Sequence, residues 1–173
     1  SWLVETDQAK LAAGVVINAA GAWADRVAAL AGLPPAGVSP LRRTAAIARG
    51  GFTGDARGWP VVADADEGFY FKPEGGGFLV SPADETPSYP HDVQPDELDI
   101  AIGIDNMQRA LDIEVRRVER SWAGLRTFTL ASVLAIGFDP RLDDYFWCVG
   151  QGGYGIQTSP ATGALVADLV INK

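Results

Sequence analysis

The chain has 173 residues, the size of one ordinary domain, with 47% hydrophobic residues, 21% charged residues and a net charge of −8. This acidity, with no run of basic residues, argues against a binder of phosphate backbones, so nucleic acid is set aside. One cysteine, Cys148, and one histidine, His91, exclude an internal disulfide, a cysteine-based metal cage and any site that needs two imidazoles, so no metal site is expected.

In chain order, 2–6 reads as a short strand that ends in a turn at Asp7-Gln8. The run Gly14-Val15-Val16-Ile17-Asn18 is apolar in the manner of a buried parallel strand. It leads through Ala19-Ala20-Gly21 into an Ala-rich helix over about 22–31, with Gly32 at the C′ position and Pro34-Pro35 barring continuation. Strand, small-residue turn and helix form half of a βαβ unit. From 38 to 81 the pattern is β, with strands at 40–49, 59–63, 69–72 and 78–81. Gly50-Gly51 and Gly75-Gly76-Gly77 are expected in hairpin loops, and Arg42, Arg43 and Lys72 on the surface.

A polar excursion over 82–94 precedes a helix opened by Pro95-Asp96-Glu97, with acids near the positive end of the dipole. Ile100, Ile104, Met107 and Leu111 give this helix one apolar face, which is read as core. Strands are expected at 114–122, 133–138 and 145–149. The last element is a helix with Ser159 as N-cap, Pro160 in its first position and an apolar body to about Ile171. The expected fold class is therefore α+β (mixed α/β). No apolar run approaches the roughly 20 residues needed to span a bilayer, and no signal peptide is visible, so a cytoplasmic location is expected.

Two junctions could carry chemistry. The string from Gly150 to Pro160 (GQGGYGIQTSP) sets a small-residue loop before a helix start, where exposed amides and the helix dipole favour negative charge. Asn18-Ala19-Ala20-Gly21-Ala22-Trp23 is a second place where a ligand could lie against main chain. On the residues alone, a tight turn beneath the helix accounts for the first string better than a ligand does, and close strand–helix packing accounts for the second at least as well.

Taken together, NAAGAWADRVAALAG, WAGLRT and GQGGYGIQTSPATGALVADL resemble the C-terminal half of FAD-dependent oxidoreductases of the D-amino acid oxidase, glycine oxidase and sarcosine oxidase group. The resemblance runs from about Gly14 to Val170 and is weakest over 82–113. It implies the late part of a Rossmann-like FAD-binding domain, about 1–35 and 141–173, and an antiparallel substrate-binding domain with a flanking helix, about 36–140. The family's G-x-G-x-x-G fingerprint is missing, so the chain is expected to be a C-terminal portion. Such a portion would not hold FAD firmly alone and would self-associate through exposed apolar surface.

By the same resemblance, Gly21 and Trp23 match positions where main chain passes the flavin nucleotide, and Gly124 lies beside the flavin ring. Gly153, Tyr154, Gly155, Ile156 and Gln157 match the loop whose amides face the pyrimidine end of the isoalloxazine. Arg126 matches the arginine that pairs with the substrate carboxylate, a task suited to a planar guanidinium fork, and Tyr70 matches a tyrosine over the substrate. No side chain is expected to act as a catalytic base. The implied function is oxidation of the C–N bond of an amino acid or secondary amine. Alternatives are a flavin dehydrogenase acting on a hydroxy acid or polyol, and a non-catalytic truncated relative.

The chain departs from the family in three respects. Gly153 stands where some relatives carry a second arginine, and Ala131 and Leu134 stand where many have an aspartate and a proline. Cys148 does not match the cysteine that links flavin covalently in some members, and it reads as a buried, inert thiol.

Overall fold

Turn chemistry and the alternation of buried side chains organise the computed structural model, which describes residues 1–52 and 54–172. Its contacts divide into two units, residues 1–40 with 126–173, and residues 41–125.

The first unit begins with an antiparallel hairpin, β1 (Trp2–Glu5) against β2 (Lys10–Ala13), closed where the Thr6 hydroxyl oxygen accepts from the Ala9 amide at 3.0 Å. The short run β3 (Val16–Asn18) follows, then a 3-10 turn at Gly21–Trp23 and α1 (Ala24–Leu30). The helix anticipated from residue 22 thus starts with a tighter turn, because Gly21 reverses the chain at φ +54°. Its end is as expected. Gly32 takes φ +73°, the Leu33 amide donates to the Ala28 carbonyl and the Gly32 amide to the Ala29 carbonyl, each at 3.0 Å. This pairing satisfies two carbonyls that the helix would otherwise leave open.

The parallel partner of β3 comes from the far end of the chain. β10 (Ala135–Asp139) pairs antiparallel with β11 (Leu142–Val149), and β11 pairs parallel with β3, giving the order β10-β11-β3. The core of this unit is Ala24, Ala28, Leu33, Val38, Tyr145, Trp147 and Val149. β10 was grouped by sequence with the 36–140 segment, but its hairpin pairing to β11 keeps it in the first unit. At the bulged corner between them, buried Asp139 accepts from Arg141 at 2.6 and 2.9 Å and from the Trp147 indole at 2.9 Å. The Arg141 hydrogen bonds, more than any other contact, hold the Asp139 carboxyl well below the usual carboxylate range.

The second unit is built on a sheet of order β5-β6-β7-β4-β8, with β9 also paired to β4. Its strands are β4 (Ser39–Gly51), β5 (Val62–Ala63), β6 (Tyr70–Glu74), β7 (Gly77–Ser81), β8 (Thr86–Pro87) and β9 (Glu114–Phe128). The β6–β7 hairpin turns on Gly75 and Gly76 at φ +54° and +80°, the two left-handed residues a tight two-residue loop requires. Gly50-Gly51 differs from expectation: it ends β4 and forms no loop, and its glycine at 50 answers to close strand packing, since a Cβ there would strike the Glu114–Val115 backbone.

The helix α2 (Glu97–Ala110) starts with the Asp96 carboxylate accepting from the Leu98 amide at 2.9 Å. As its spacing predicts, it buries Met107 and packs Ile100 and Ile104 on the core of Ala46, Ala48, Phe71, Phe78, Val80 and Ile113. Arg42 and Arg43 are a correction: their side chains are only 19% and 11% exposed. The polar excursion brings acids over them, Arg42 pairing with Asp99 at 2.6 Å and Arg43 with Glu85 at 2.9 Å. Lys72 is at the surface as expected, paired with Glu74. Among the described residues, no helix is long and apolar enough to cross a membrane, and no group of acids, histidine and cysteine could hold a metal ion.

Candidate functional site

The site in the first unit is assembled from three chain segments: the end of β3, the end of β9 and the loop leading into α3 (Gly155–Ile171). Asn18 fixes the first segment. Its amide nitrogen donates to the Ala24 carbonyl at 2.8 Å and to the Tyr145 hydroxyl at 2.6 Å, and its side-chain oxygen accepts from the Ala20 amide at 3.2 Å. A buried asparagine satisfied in this way holds the Ala19–Gly21 bend in one position. Burial also pushes the Tyr145 phenol up, which keeps it neutral as a partner for Asn18.

The glycine loop is tied to β9 by the Gly152 amide, which donates to the Thr127 carbonyl at 2.8 Å. Gly150 and Gly152 take φ +79° and +55°. A Cβ at Gly150 would lie 2.5 Å from Thr129 Cγ2, and one at Gly152 would lie 3.1 Å from the Phe128 ring. The loop therefore reaches the strand only with glycine at both places.

Gly153 follows, and here the neighbour is the Arg126 guanidinium: a Cβ would lie 2.9 Å from Nη1 and 3.2 Å from Cζ. Arg126 is half-buried, and among the described residues it has no ion pair or hydrogen bond from its side chain. Nine other described basic side chains have a carboxylate partner.

The sequence places the N-terminus of α3 at Ser159-Pro160, but the helix starts at Gly155, so Pro160 lies inside it. The rung that proline cannot form is replaced locally, since the Ser159 hydroxyl donates to the Ile156 carbonyl at 2.8 Å. Tyr154 occupies the cap position without a side-chain cap hydrogen bond, and no acid lies in the first turn. The amides of Gly155, Ile156 and Gln157 are left facing outward, with the positive end of a 17-residue helix behind them. Tyr154 and Ile156 are 59% and 93% exposed, and no residue of α3 is buried.

A cavity of about 490 Å³ joins the two junctions. Ile17, Ala19, Cys148, Gln151, Gly155 and Val166 are on its wall. Gly155 is the sequence-predicted residue that lines it; Gly21 and Trp23 sit in the turn just beyond Ala19. Ala19 and Gln151 lie in the two strings that the sequence singles out, without an individual role there; the anchoring role of Asn18 is the part that sequence reasoning missed. A polar residue closing an apolar strand was the available signal for Asn18. Tyr70 and Gly124 belong to the second unit, Tyr70 half-buried in β6 opposite Ser81 of β7, Gly124 exposed in β9 with open space at its Cβ.

Residues 1–169 match the family model described as DAO, FAD dependent oxidoreductase. The chain belongs to this family. Family membership brings FAD as the cofactor. Glycine oxidase of Geobacillus kaustophilus is 32% identical over 99% of this chain and 44% of its own length. FAD-dependent oxidoreductase domain-containing protein 1 of Xenopus laevis is 31% identical over 91% of the chain and 35% of its own length. Among solved structures, the G. kaustophilus glycine oxidase superposes with a TM-score of 0.82 at 28% identity, covering 99% of this chain and 45% of that one. L-proline dehydrogenase from P. horikoshii gives 0.81 at 26% identity, covering 95% and 44%. The chain thus spans less than half the length of these relatives.

Proposed function

We propose that the protein carrying this chain oxidises the C–N bond of an amino acid or secondary amine whose carboxylate is bound by Arg126. One observation carries this reading: a half-buried guanidinium with no acid of its own, laid against the glycine loop at an uncapped helix start. A cation in that state favours an external anion, and its planar fork suits a carboxylate. The names of two relatives, glycine oxidase and L-proline dehydrogenase, denote substrates with an amine beside a carboxylate, which supports the same class here.

The cleft residues fit FAD. Ala19 and Gly155 offer main chain without bulk, and the amides of Gly155, Ile156 and Gln157 are open donors at a positive helix end. Gly21, Trp23, Gly153 and Tyr154 would complete its surroundings; for Gly124 and Tyr70, the flavin and substrate roles rest on the family resemblance alone. When bound, the flavin supplies the hydride acceptor for C–N oxidation. The chain's own contribution is to orient the amine through Arg126, to hold partial positive charge at the α3 amides and to keep the Ala19–Gly21 bend rigid through Asn18. No side-chain base is required. The labels FAD-binding for residues 1–35 with 141–173 and substrate-binding for 36–140 belong to the same proposal.

A second reading, oxidation of a hydroxy acid or polyol, draws support from Gly153 standing in place of a second arginine. Anaerobic bleaching of the flavin band with a panel of amines and hydroxy acids separates the two. Arg126→Ala is expected to raise KM for carboxylate substrates by roughly 10–100-fold with flavin content unchanged. Unchanged kinetics would remove Arg126 from the site. Prepared as these 173 residues alone, the chain is expected to self-associate, since Ile17 is 44% exposed and α3 buries nothing. Light scattering that finds a dispersed monomer at high concentration would refute this.

A further inference from the structure

The geometry points to Gly153 as a positioning residue for the Arg126 guanidinium, and so as the residue that sets which carboxylates the site accepts. The inference rests on the reading of Arg126 given under Proposed function and adds a second residue to it. Three glycines of one loop meet three different neighbours. At Gly150 and Gly152 a side chain would meet the end of β9 and the residue after it, the Phe128 ring and Thr129, and would also have to adopt a left-handed backbone. Those two glycines serve the fold.

Gly153 has neither constraint. Its backbone is outside the left-handed region, and the three atoms nearest an added Cβ all belong to Arg126: Nη1 at 2.9 Å, Cζ at 3.2 Å and Nε at 3.7 Å. Three atoms of the guanidinium thus crowd the space a methyl group would take. The side chain is long and flexible, and among the described residues no carboxylate or other hydrogen-bond partner holds its head in place. Adding a methyl at position 153 would therefore move the arginine head and leave the fold alone. A displaced fork loses the two parallel hydrogen bonds that recognise a planar carboxylate.

The test uses the full-length FAD-loaded enzyme, with acetate as a carboxylate probe and acetamide as its uncharged analogue, titrated by calorimetry. Five proteins are compared: native, Gly153→Ala, Arg126→Gln, and Gly153→Ala combined with Arg126→Gln or with Arg126→Lys, with the melting temperature and flavin content of each. Gly153→Ala is expected to bind acetate about tenfold more weakly, since misplacing a recognition group by about 1 Å can cost up to about a hundredfold. Its melting temperature and acetamide affinity should match the native protein. In the Arg126→Gln background the alanine should have no further effect on acetate. Arg126→Lys with Gly153→Ala should recover part of the lost affinity, because the slimmer ammonium stem fits beside the methyl.

If Gly153→Ala binds acetate like the native protein while Arg126→Gln does not, the positioning inference fails and the carboxylate reading stands. If the alanine weakens acetate equally with and without Arg126, the inference also fails, since the glycine then acts by another route. If Arg126→Gln binds acetate like the native protein, the carboxylate reading itself fails.

Discussion

Two corners of the first unit each present an arginine, and they are finished differently. At the β10–β11 corner, Arg141 grips a buried carboxylate through its side chain and backbone, and Trp147 supplies a further donor to the same acid. At the β9 corner, Arg126 lies against bare glycine with no acid in reach among the described residues. The helix starts repeat the contrast: α2 is closed by Asp96 with Glu97 and Asp99 in its first turn, whereas α3 has no side-chain cap and no acid. Folding alone favours the closed arrangement in both pairs, because open donors gain nothing internally. On the function proposed above, these unsatisfied ends would accommodate an outside anion.

This contrast can be broken by experiment. The largest effect on stability is expected at the closed corner, where Asp139→Ala should cost about 2 kcal/mol in denaturant unfolding by leaving the buried Trp147 indole without its acceptor and removing the Arg141 hydrogen bonds. Because the Asp139 carboxyl is depressed in the folded state, its contribution is present above the unfolded-state value of about 3.9 and is lost as the pH falls below it. The stability gap between the native protein and Asp139→Asn should accordingly narrow in acid. A gap unchanged from neutral pH to pH 3 would show that the charge is not what holds the corner.

Asp96→Ala should cost about 1 kcal/mol by uncapping α2, again measured by denaturant unfolding. The smallest effect belongs to the open corner. Arg126→Gln should leave stability within about 0.5 kcal/mol while abolishing carboxylate selectivity. If it proves as destabilising as Asp139→Ala, the distinction between the two corners is wrong.

Legibility in the sequence followed burial. The α2 face, the Gly32 stop and the β6–β7 turn were readable because apolar spacing or obligatory backbone angles leave local marks. β2 was not, since Lys10–Ala13 is nearly all exposed and shows no inward face. β9 runs on past Trp122 to Phe128, but its charged, exposed first half alternates poorly. The early start of α3 was hidden by Gly155, a poor helix former, and by Pro160, whose usual place is a first turn. The family strings marked the loop and Arg126. That this arginine lacks an acid while Arg42 and Arg43 have theirs depends on contacts tens of residues away, which no local pattern records.

Pro160 has an effect before the chain is folded at all. Its ring fixes one backbone torsion in the denatured ensemble, while the glycines from 150 to 155 leave the preceding stretch with more freedom than any other residue type allows. A loose part of the random coil therefore lies only a few residues from a stiff one. Ordering those glycines costs about 1–2 kcal/mol of entropy apiece, and contacts made only after the helix has wound must offset it. The order of the cradle thus depends on its surroundings more than on its own residues.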